Sequence, residues 1–552
     1  MLGSAAQLGR KTNGEENPVV EKLELAEPHL AGWLSSLGLG VEYVRSQGNT
    51  LFYRDDQGTE IPVLDLVGGY GSAILGHNNP EIVAYAKSLL DQGTPIHAQF
   101  SRHPYANDLA WKINTIIRRE FGTSEHYSAV FANSGAEAVE VAVKHAELDR
   151  VMKLAALAEE IDANLEKARA AVRSGARLHA ENAPELLGAE APVPADPDVD
   201  AADAMAALDR LIDAVKSANS ERMTAPPVFL APEGSFHGKL VGSIQLTHNV
   251  GYRAPFTALA AQCRFVPLDR PEVLEKIVAE ERKTLLDLTV DQDVVRLTER
   301  ELPVICAFVL EPIQGEAGIH VLDRAAVRRI QQVCAGIDCP IIVDEVQSGM
   351  GRSGAFFASS HLGLQGDYFT LAKSLGGGIA KAALTLIRGS RYRTDFELVH
   401  SSTYAKDSFS TLIAGRTVDL LEADDGRAYR LAAERGDQLL AMLGRLKDEF
   451  GDIVKDVRGK GLMIGLEFHD QSDSTSEIIR EQARAGLLGY LFAGYLLRAH
   501  AVRIFPTASA TNTLRLEPSV HLTDTEIAQA DKALRDLISV LAKQDGETLL
   551  HA

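Results

Sequence analysis

Three short stretches of this 552-residue chain carry residue types that could do chemistry together. In FANSGAEAVE, 131 to 140, an apolar run ends in Asn-Ser-Gly-Ala-Glu. Ser134 and Glu137 have the spacing of a capping box, which predicts a helix start. The small residues Gly135 and Ala136 leave backbone N–H groups open at the positive end of that helix, and such an end holds phosphate. Taken alone this is the start of an ordinary helix. In CPIIVDEVQSGMGRSG, 339 to 354, an apolar strand delivers Asp344 and Glu345 at its C-terminal end, where open α/β sheets place their ligands. A carboxylate there could hold a metal or an aromatic cation. In DYFTLAKSLGGG, 367 to 378, Lys373 stands between an apolar run and three glycines. A lysine so placed can be desolvated and made nucleophilic toward carbonyls, although a single lysine more often snorkels at the surface.

These stretches need elements to position them. From Ser128 onward, apolar runs alternate with helical patterns: SAVFANSG, VFLAPEG, CRFVPLD, CAFVLEP, CPIIVDEV, YFTLAK and AALTLI. Seven strand candidates separated by helices predict an α/β domain whose sheet is mainly parallel and buried on both faces. Gly48 to Asp65 alternates around Asp-Gln-Gly like a hairpin. After about Thr411 come long amphipathic helices, then VRGKGLMIGLEF and RIFPTASATNTLRLEPS, then a helix from about Asp524 to Lys543, which predicts a smaller α+β domain. The expected organisation is an N-terminal arm with part of the small domain over 1–100, a large α/β domain over 101–410, and the C-terminal small domain over 411–552.

One stretch breaks the rhythm. The helix begun at Ser134 should return to the sheet after a short connection, yet the next strand candidate begins near Val228. Residues 150–224 therefore read as inserted. They hold 20 alanines and no Phe, Tyr or Trp, with apolar residues at helical spacing on either side of a Pro- and Asp-rich link from Ala189 to Asp200. That pattern predicts a helical hairpin with little to bury, packed on the main body or on a second subunit.

Composition narrows the function. The formal charge of −20 opposes binding to nucleic acid or an anionic membrane, so small molecules are the expected partners. The longest apolar stretch, Ala485 to Leu497, is 13 residues, short of the roughly 20 a membrane helix needs, and predicts a buried helix. The N-terminus lacks a basic segment followed by an apolar one, so no secretory signal is expected. Four cysteines without a C-x-x-C pair suit a reducing cytoplasm and give no metal framework.

A phosphate cradle, an Asp at a strand end and, 29 residues later, a Lys before glycines are the parts that pyridoxal phosphate needs: an anion site, a partner for the pyridinium nitrogen and an amine for the Schiff base. With GGYGSAILGHNNPEIV (68–83), SFHGKLVGSIQLT (235–247), LEPIQGEAG (310–318), HSSTYAKDS (400–408), VRGKGLMIG (457–465) and NTLRLEPS (512–519), the chain resembles the class III aminotransferases of fold type I, the group of ornithine, acetylornithine and 4-aminobutyrate aminotransferases. The resemblance runs from about Val41 to the C-terminus and is interrupted by residues 150–224.

The resemblance implies a role for each matching residue. Lys373 would carry the cofactor and, once displaced by substrate, shuttle a proton. Asp344 would keep the ring nitrogen protonated, since a nearby carboxylate stabilises the cation that serves as electron sink. Phe236, followed by His237, would stack on one ring face and Val346 on the other. Gln347 would bond the phenolic oxygen, and Glu311 would act from behind. Ser134, Gly135 and Ala136 would bind the phosphate, joined by Thr403 from the second subunit of a homodimer. The family commonly shows Ser-Thr-aromatic-Gly-Gly-Asn-Pro here, whereas this chain reads STYAKDSF, so Thr403 is retained and the loop after it is altered. Arg515 matches the arginine that takes a substrate carboxylate as a bidentate pair. Glu316 matches the glutamate that neutralises this arginine when the bound amine has no carboxylate nearby. Tyr70 falls in the stretch lining the substrate entrance.

The activity so implied is that of a transaminase. It moves an amino group from a glutamate-like donor to a keto or aldehyde acceptor in two half-reactions. A racemase or aminomutase of the same family would use the same Lys373 and Asp344, but the Arg515 and Glu316 pair favours transfer between unlike substrates. A scaffold acting through the inserted segment, with catalysis lost, is disfavoured by the intact Lys373.

Overall fold

The computed structural model describes residues 26–551 except 56, 98–100, 188–200, 260 and 271. Part of the expected N-terminal arm and the link from Ala189 to Asp200 lie outside the described residues.

All seven strand candidates join one sheet, in the order Tyr127–Ala132, Ala383–Arg388, Tyr368–Leu371, Ile341–Asp344, Ile305–Leu310, Val228–Pro232, Cys263–Val266. Only Ala383–Arg388 runs against its neighbours. Six C-terminal strand ends therefore open on the same edge, where a doubly covered sheet leaves room for a ligand. The strands are apolar because both faces are covered: Phe308, Val309, Ile342, Val343, Phe369 and Leu386 are inaccessible to solvent.

Two smaller sheets flank this domain. The hairpin Thr50–Arg54 and Glu60–Asp65 forms as expected, joins Tyr43–Gln47, and takes Val502–Arg503 from the far end of the chain as a parallel partner. Val454–Lys460, Met463–Phe468, Thr513–Leu516 and Phe505–Pro506 make the other, all antiparallel. The apolar stretch at 485–497 is the buried helix Leu488–His500. Among the described residues no helix is long and apolar enough to cross a membrane.

The inserted region departs from expectation. Its first helix is no separate element: Gly135–Arg173 is one helix of 39 residues that starts at the sheet and runs outward. Ala201–Arg222 packs beside it. Both close on a hairpin the sequence reading did not identify, Lys283–Asp291 paired with Val294–Leu302, to which Arg177–His179 adds a third, parallel strand. The helices are thus not short of surface to bury. Ile161, Leu165, Val172, Leu208, Leu211, Ile212 and Val215 meet Leu285, Leu286, Leu288, Val295 and Leu297 in a separate aliphatic core, where each buried side chain contributes about 1.5–3 kcal/mol. Asn219 fastens the two parts, its side chain accepting from Leu286 N–H and donating to Leu286 C=O, both at 2.8 Å.

Candidate active site

Asp344 ends the strand Ile341–Asp344, paired in register with Thr370 on the next strand. One carboxylate oxygen accepts from the Val346 N–H at 3.0 Å and the Thr370 hydroxyl at 3.2 Å; the other meets His237 Nδ1 at 2.8 Å. Three groups on three chain segments fix this carboxylate. Lys373 lies two residues beyond the neighbouring strand Tyr368–Leu371, with a left-handed backbone (φ 47°) that opens a short 3-10 turn into the glycines. Burial pushes its ammonium below the ordinary range, and Glu517, Glu316 and Asp344 pull the other way. Its amine is thereby brought toward the neutral, nucleophilic form.

Ser134, Gly135 and Ala136 open the long helix, as expected, but the capping box is only half made. Ser134 Oγ accepts from Glu137 N–H at 3.3 Å, whereas the Glu137 carboxylate reaches past the cap to the backbone and side-chain N–H of Asn133, at 2.7 and 3.0 Å. The N–H groups of Gly135 and Ala136 belong to the first turn, which has no intrahelical acceptor. Two close approaches build the cradle. A Cβ on Gly135 would stand 2.6 Å from Val346 Cγ1, and one on Gly238 (φ 110°) would stand 2.7 Å from Ala136 Cβ. The Phe236-His237-Gly238 turn therefore sits directly against the helix start. Phe236 lies edge-on to Tyr252, their centroids 6.4 Å apart.

Glu311, just past Ile305–Leu310, is buried and accepts from the N–H groups of Phe236 (2.9 Å) and Gly315 (3.1 Å). Burial lifts its carboxyl to about 7. It holds the turn that carries Phe236, which fits a supporting position. Glu345 turns away from the site into a buried nest of Ser348 Oγ, Ala358 N–H and Ser359 N–H, and burial lifts it too to about 7.

On the opposite wall Arg515 is inaccessible to solvent and forms a bidentate pair with Glu316: NH1 to Oε1 at 2.7 Å and NH2 to Oε2. Burial would raise the Glu316 carboxyl, but Arg515 outweighs it and holds the group below its ordinary range. Tyr70, with left-handed backbone (φ 57°), lays its ring 5.2 Å from the Arg515 guanidinium carbon and is 42% exposed. Gln347 donates from Nε2 to Glu517 at 2.7 Å; a carboxamide has a second hydrogen there for another acceptor.

No motif marks Glu517. Its signal is the spacing Arg515-x-Glu517, with Glu517 one residue past the strand Thr513–Leu516, which sends both side chains to the same side.

Thr403 is exposed in a loop whose preceding residue, Ser402, accepts from Asn133 Nδ2 of the same chain at 2.9 Å. The loop therefore borders this chain's own phosphate cradle. Leu398, Val399 and Tyr404 around it are 90%, 66% and 68% exposed.

The arrangement suits a phosphorylated pyridine aldehyde. It offers a helix start opened by small residues, a thrice-held carboxylate at a strand end, and an amine of lowered basicity on the adjacent strand. Comparison with known proteins agrees. Residues 37–530 match the family described as aminotransferase class-III. The fold is similar to the ornithine aminotransferase of Toxoplasma gondii ME49 (TM-score 0.63, 19% identity, covering 95% of this chain and 97% of that one). It is equally similar to an amine transaminase from an uncultivated Pseudomonas species in its PLP-bound form (0.63, 21%, 96% and 99%). The N-acetylornithine aminotransferase of Stenotrophomonas maltophilia K279a also matches (0.56, 22%, 91% and 96%).

Proposed function

Because the chain belongs to the class-III aminotransferases, which are pyridoxal-phosphate-dependent transaminases, we propose that Lys373 carries the cofactor and that Asp344, Arg515 and Glu316 direct amino transfer around it. The observation that carries this reading is the register Asp344↔Thr370, which sets the held carboxylate and Lys373 at the ends of adjacent strands. When bound, the cofactor supplies a covalent attachment for the amine and a cationic ring that absorbs the electron pair left when the Cα proton departs.

The rest falls to the chain. Asp344, oriented by His237 and Thr370, keeps the ring nitrogen protonated. Gly135 and Ala136 N–H and the Ser134 hydroxyl take the phosphate. Phe236 and Val346 cover the two ring faces, and the second Gln347 hydrogen serves the phenolic oxygen. Lys373, once freed by substrate, takes the Cα proton and returns it one position along. Arg515 receives a donor carboxylate after Glu316 moves aside. With Glu316 in place the same pocket takes an amine lacking that carboxylate, so a glutamate-like donor and a carbonyl acceptor of different shape can share it. The family match speaks for transfer and lends nothing to a racemase.

The exposed apolar side chains beside Thr403 support a homodimer that buries this loop. The four unpaired thiols, Cys263, Cys306, Cys334 and Cys339, suit the cytoplasm. Borohydride reduction of the holoenzyme followed by peptide mapping should find the pyridoxyl group on Lys373; any other lysine would refute the assignment. A panel of amino donors and carbonyl acceptors, followed by the cofactor's absorbance, should show two separable half-reactions. Light scattering should give a dimer, and an active monomer would remove the role for a second subunit.

A further inference from the structure

Arg515 has a second carboxylate beside it. Glu517 brings Oε2 to 4.0 Å from NH1, the nitrogen that also donates to Glu316. The Glu517 side chain is wholly buried; Oε1 accepts from Gln347, and Oε2 has no hydrogen-bond partner. A buried carboxylate oxygen that nothing donates to is costly, and the groups whose charge it supports are Arg515, Lys373 and the buried Arg352. One guanidinium thus stands between two carboxylates, which leaves the group of three with a net negative charge.

The two acids differ in freedom. Glu316 keeps 11% of its side chain exposed and is held by Arg515 and the Ala508 N–H at 2.7 Å, so a carboxylate that takes its place on Arg515 lets it swing toward solvent. Glu517 cannot. Its N–H is bound to Leu66 C=O at 2.7 Å, its Oε1 is tied to Gln347, and Gly71 presses so near that a methyl there would contact both oxygens at 3.6 Å.

Resting on the reading of Arg515 as the carboxylate receptor, we propose that Glu517 is a specificity-determining residue. It is a fixed counter-charge that weakens the hold of Arg515 on a substrate carboxylate and weights the pocket toward amines without one. A carboxylate that displaces Glu316 meets a guanidinium still shared with an anion. An amine lacking a carboxylate leaves Glu316 in place and feels no such competition.

The test is calorimetric titration of the holoenzyme with glutarate, a dicarboxylate that undergoes no transfer, in wild type and Glu517→Gln. The amide removes the charge and keeps an oxygen for Gln347. The variant should bind glutarate about tenfold more tightly, while KM for 1-phenylethylamine shifts less than about twofold. Adding Arg515→Lys should abolish the gain and so locate it. Glu517→Ala serves as a second variant and should move glutarate affinity in the same direction. Unchanged or weaker glutarate binding, or equal tightening of both compounds, would overturn the proposal. A wild-type holoenzyme that transfers no amino group from any donor would instead refute the proposed activity, and the glutarate titration would still decide the role of Glu517.

Discussion

His237 Nδ1 lies 2.8 Å from Asp344 Oδ2, and the other ring nitrogen of His237, also buried, has no partner. Among the described residues the ring's hydrogen bond is to the acid, so a neutral ring donates from Nδ1. Asp344 is in turn aimed by the ring, by Thr370 and by the Val346 N–H.

Asp344→Asn keeps the shape and removes the charge. It should lower kcat by about 10²-fold or more while circular dichroism and the unfolding midpoint change little. His237→Asn, which loses only an orienting contact, should cost less, about tenfold. Equal turnover of Asp344→Asn and wild type at saturating cofactor would remove the carboxylate from the chemistry.

The ion pair of Arg515 with Glu316 makes opposite predictions for its two members. Arg515→Lys cannot reproduce the planar fork, so KM for glutamate should rise about 10- to 100-fold, with a smaller effect on a carboxylate-free amine. Glu316→Gln should do the reverse, improving kcat/KM for glutamate and impairing the amine. Steady-state kinetics with both donors on both variants checks the crossing pattern.

Glu345 gives a pH dependence of known sign. Burial lifts its carboxyl from 4.5 to about 7 in the folded chain. A raised folded pKa favours folding below the unfolded value, and that contribution is lost as the pH climbs through about 7. Glu345→Gln removes the ionisation but also a hydrogen-bond acceptor, a fixed cost at every pH. Relative to wild type the variant should therefore gain stability between pH 5 and 8, on the order of 3 kcal/mol. Urea unfolding at four pH values measures the difference; a gap that does not change with pH would show that Glu345 titrates normally.

The separate aliphatic core makes the inserted region a unit of two pieces. Replacing residues 154–224 by a Gly/Ser link strips the cover from Leu285, Leu286, Leu288, Val295 and Leu297 and should give aggregating protein. Removing 283–302 as well should restore a soluble enzyme that still attaches its cofactor. Leu286→Ala, a change at a wholly buried position, should cost about 2–5 kcal/mol. Solubility and the holoenzyme spectrum of the two deletions distinguish this from a role in the catalytic core.

What was legible in the sequence follows from what each element buries. The sheet strands, covered on both faces, read as unbroken apolar runs, and all seven were identified from that alone. Lys283–Asp291 and Val294–Leu302 mix charged with apolar residues, Asp287 even at a buried position, so they fall below that criterion. The wrong expectation that the inserted helices have little to bury came from the same omission. At the site, single residues that end a strand, Asp344 and Lys373, stood out by position. Glu517 did not, because its meaning is tertiary: it comes from Gln347, Arg515 and the close approach of Gly71, which no local pattern reveals.

The two-piece core also sets the order in which the chain can finish folding. The helices Gly135–Arg173 and Ala201–Arg222 leave the ribosome well before the hairpin that ends at Leu302. At about 5–20 residues per second, the roughly 80 residues between the second helix and the end of the hairpin take several seconds to emerge. For that interval an aliphatic helical face with no charged residue at its centre stays bare on the nascent chain, a surface for chaperones to hold. Slowing translation of residues 223–302 with rare synonymous codons should accordingly lower the soluble yield relative to the unaltered coding sequence.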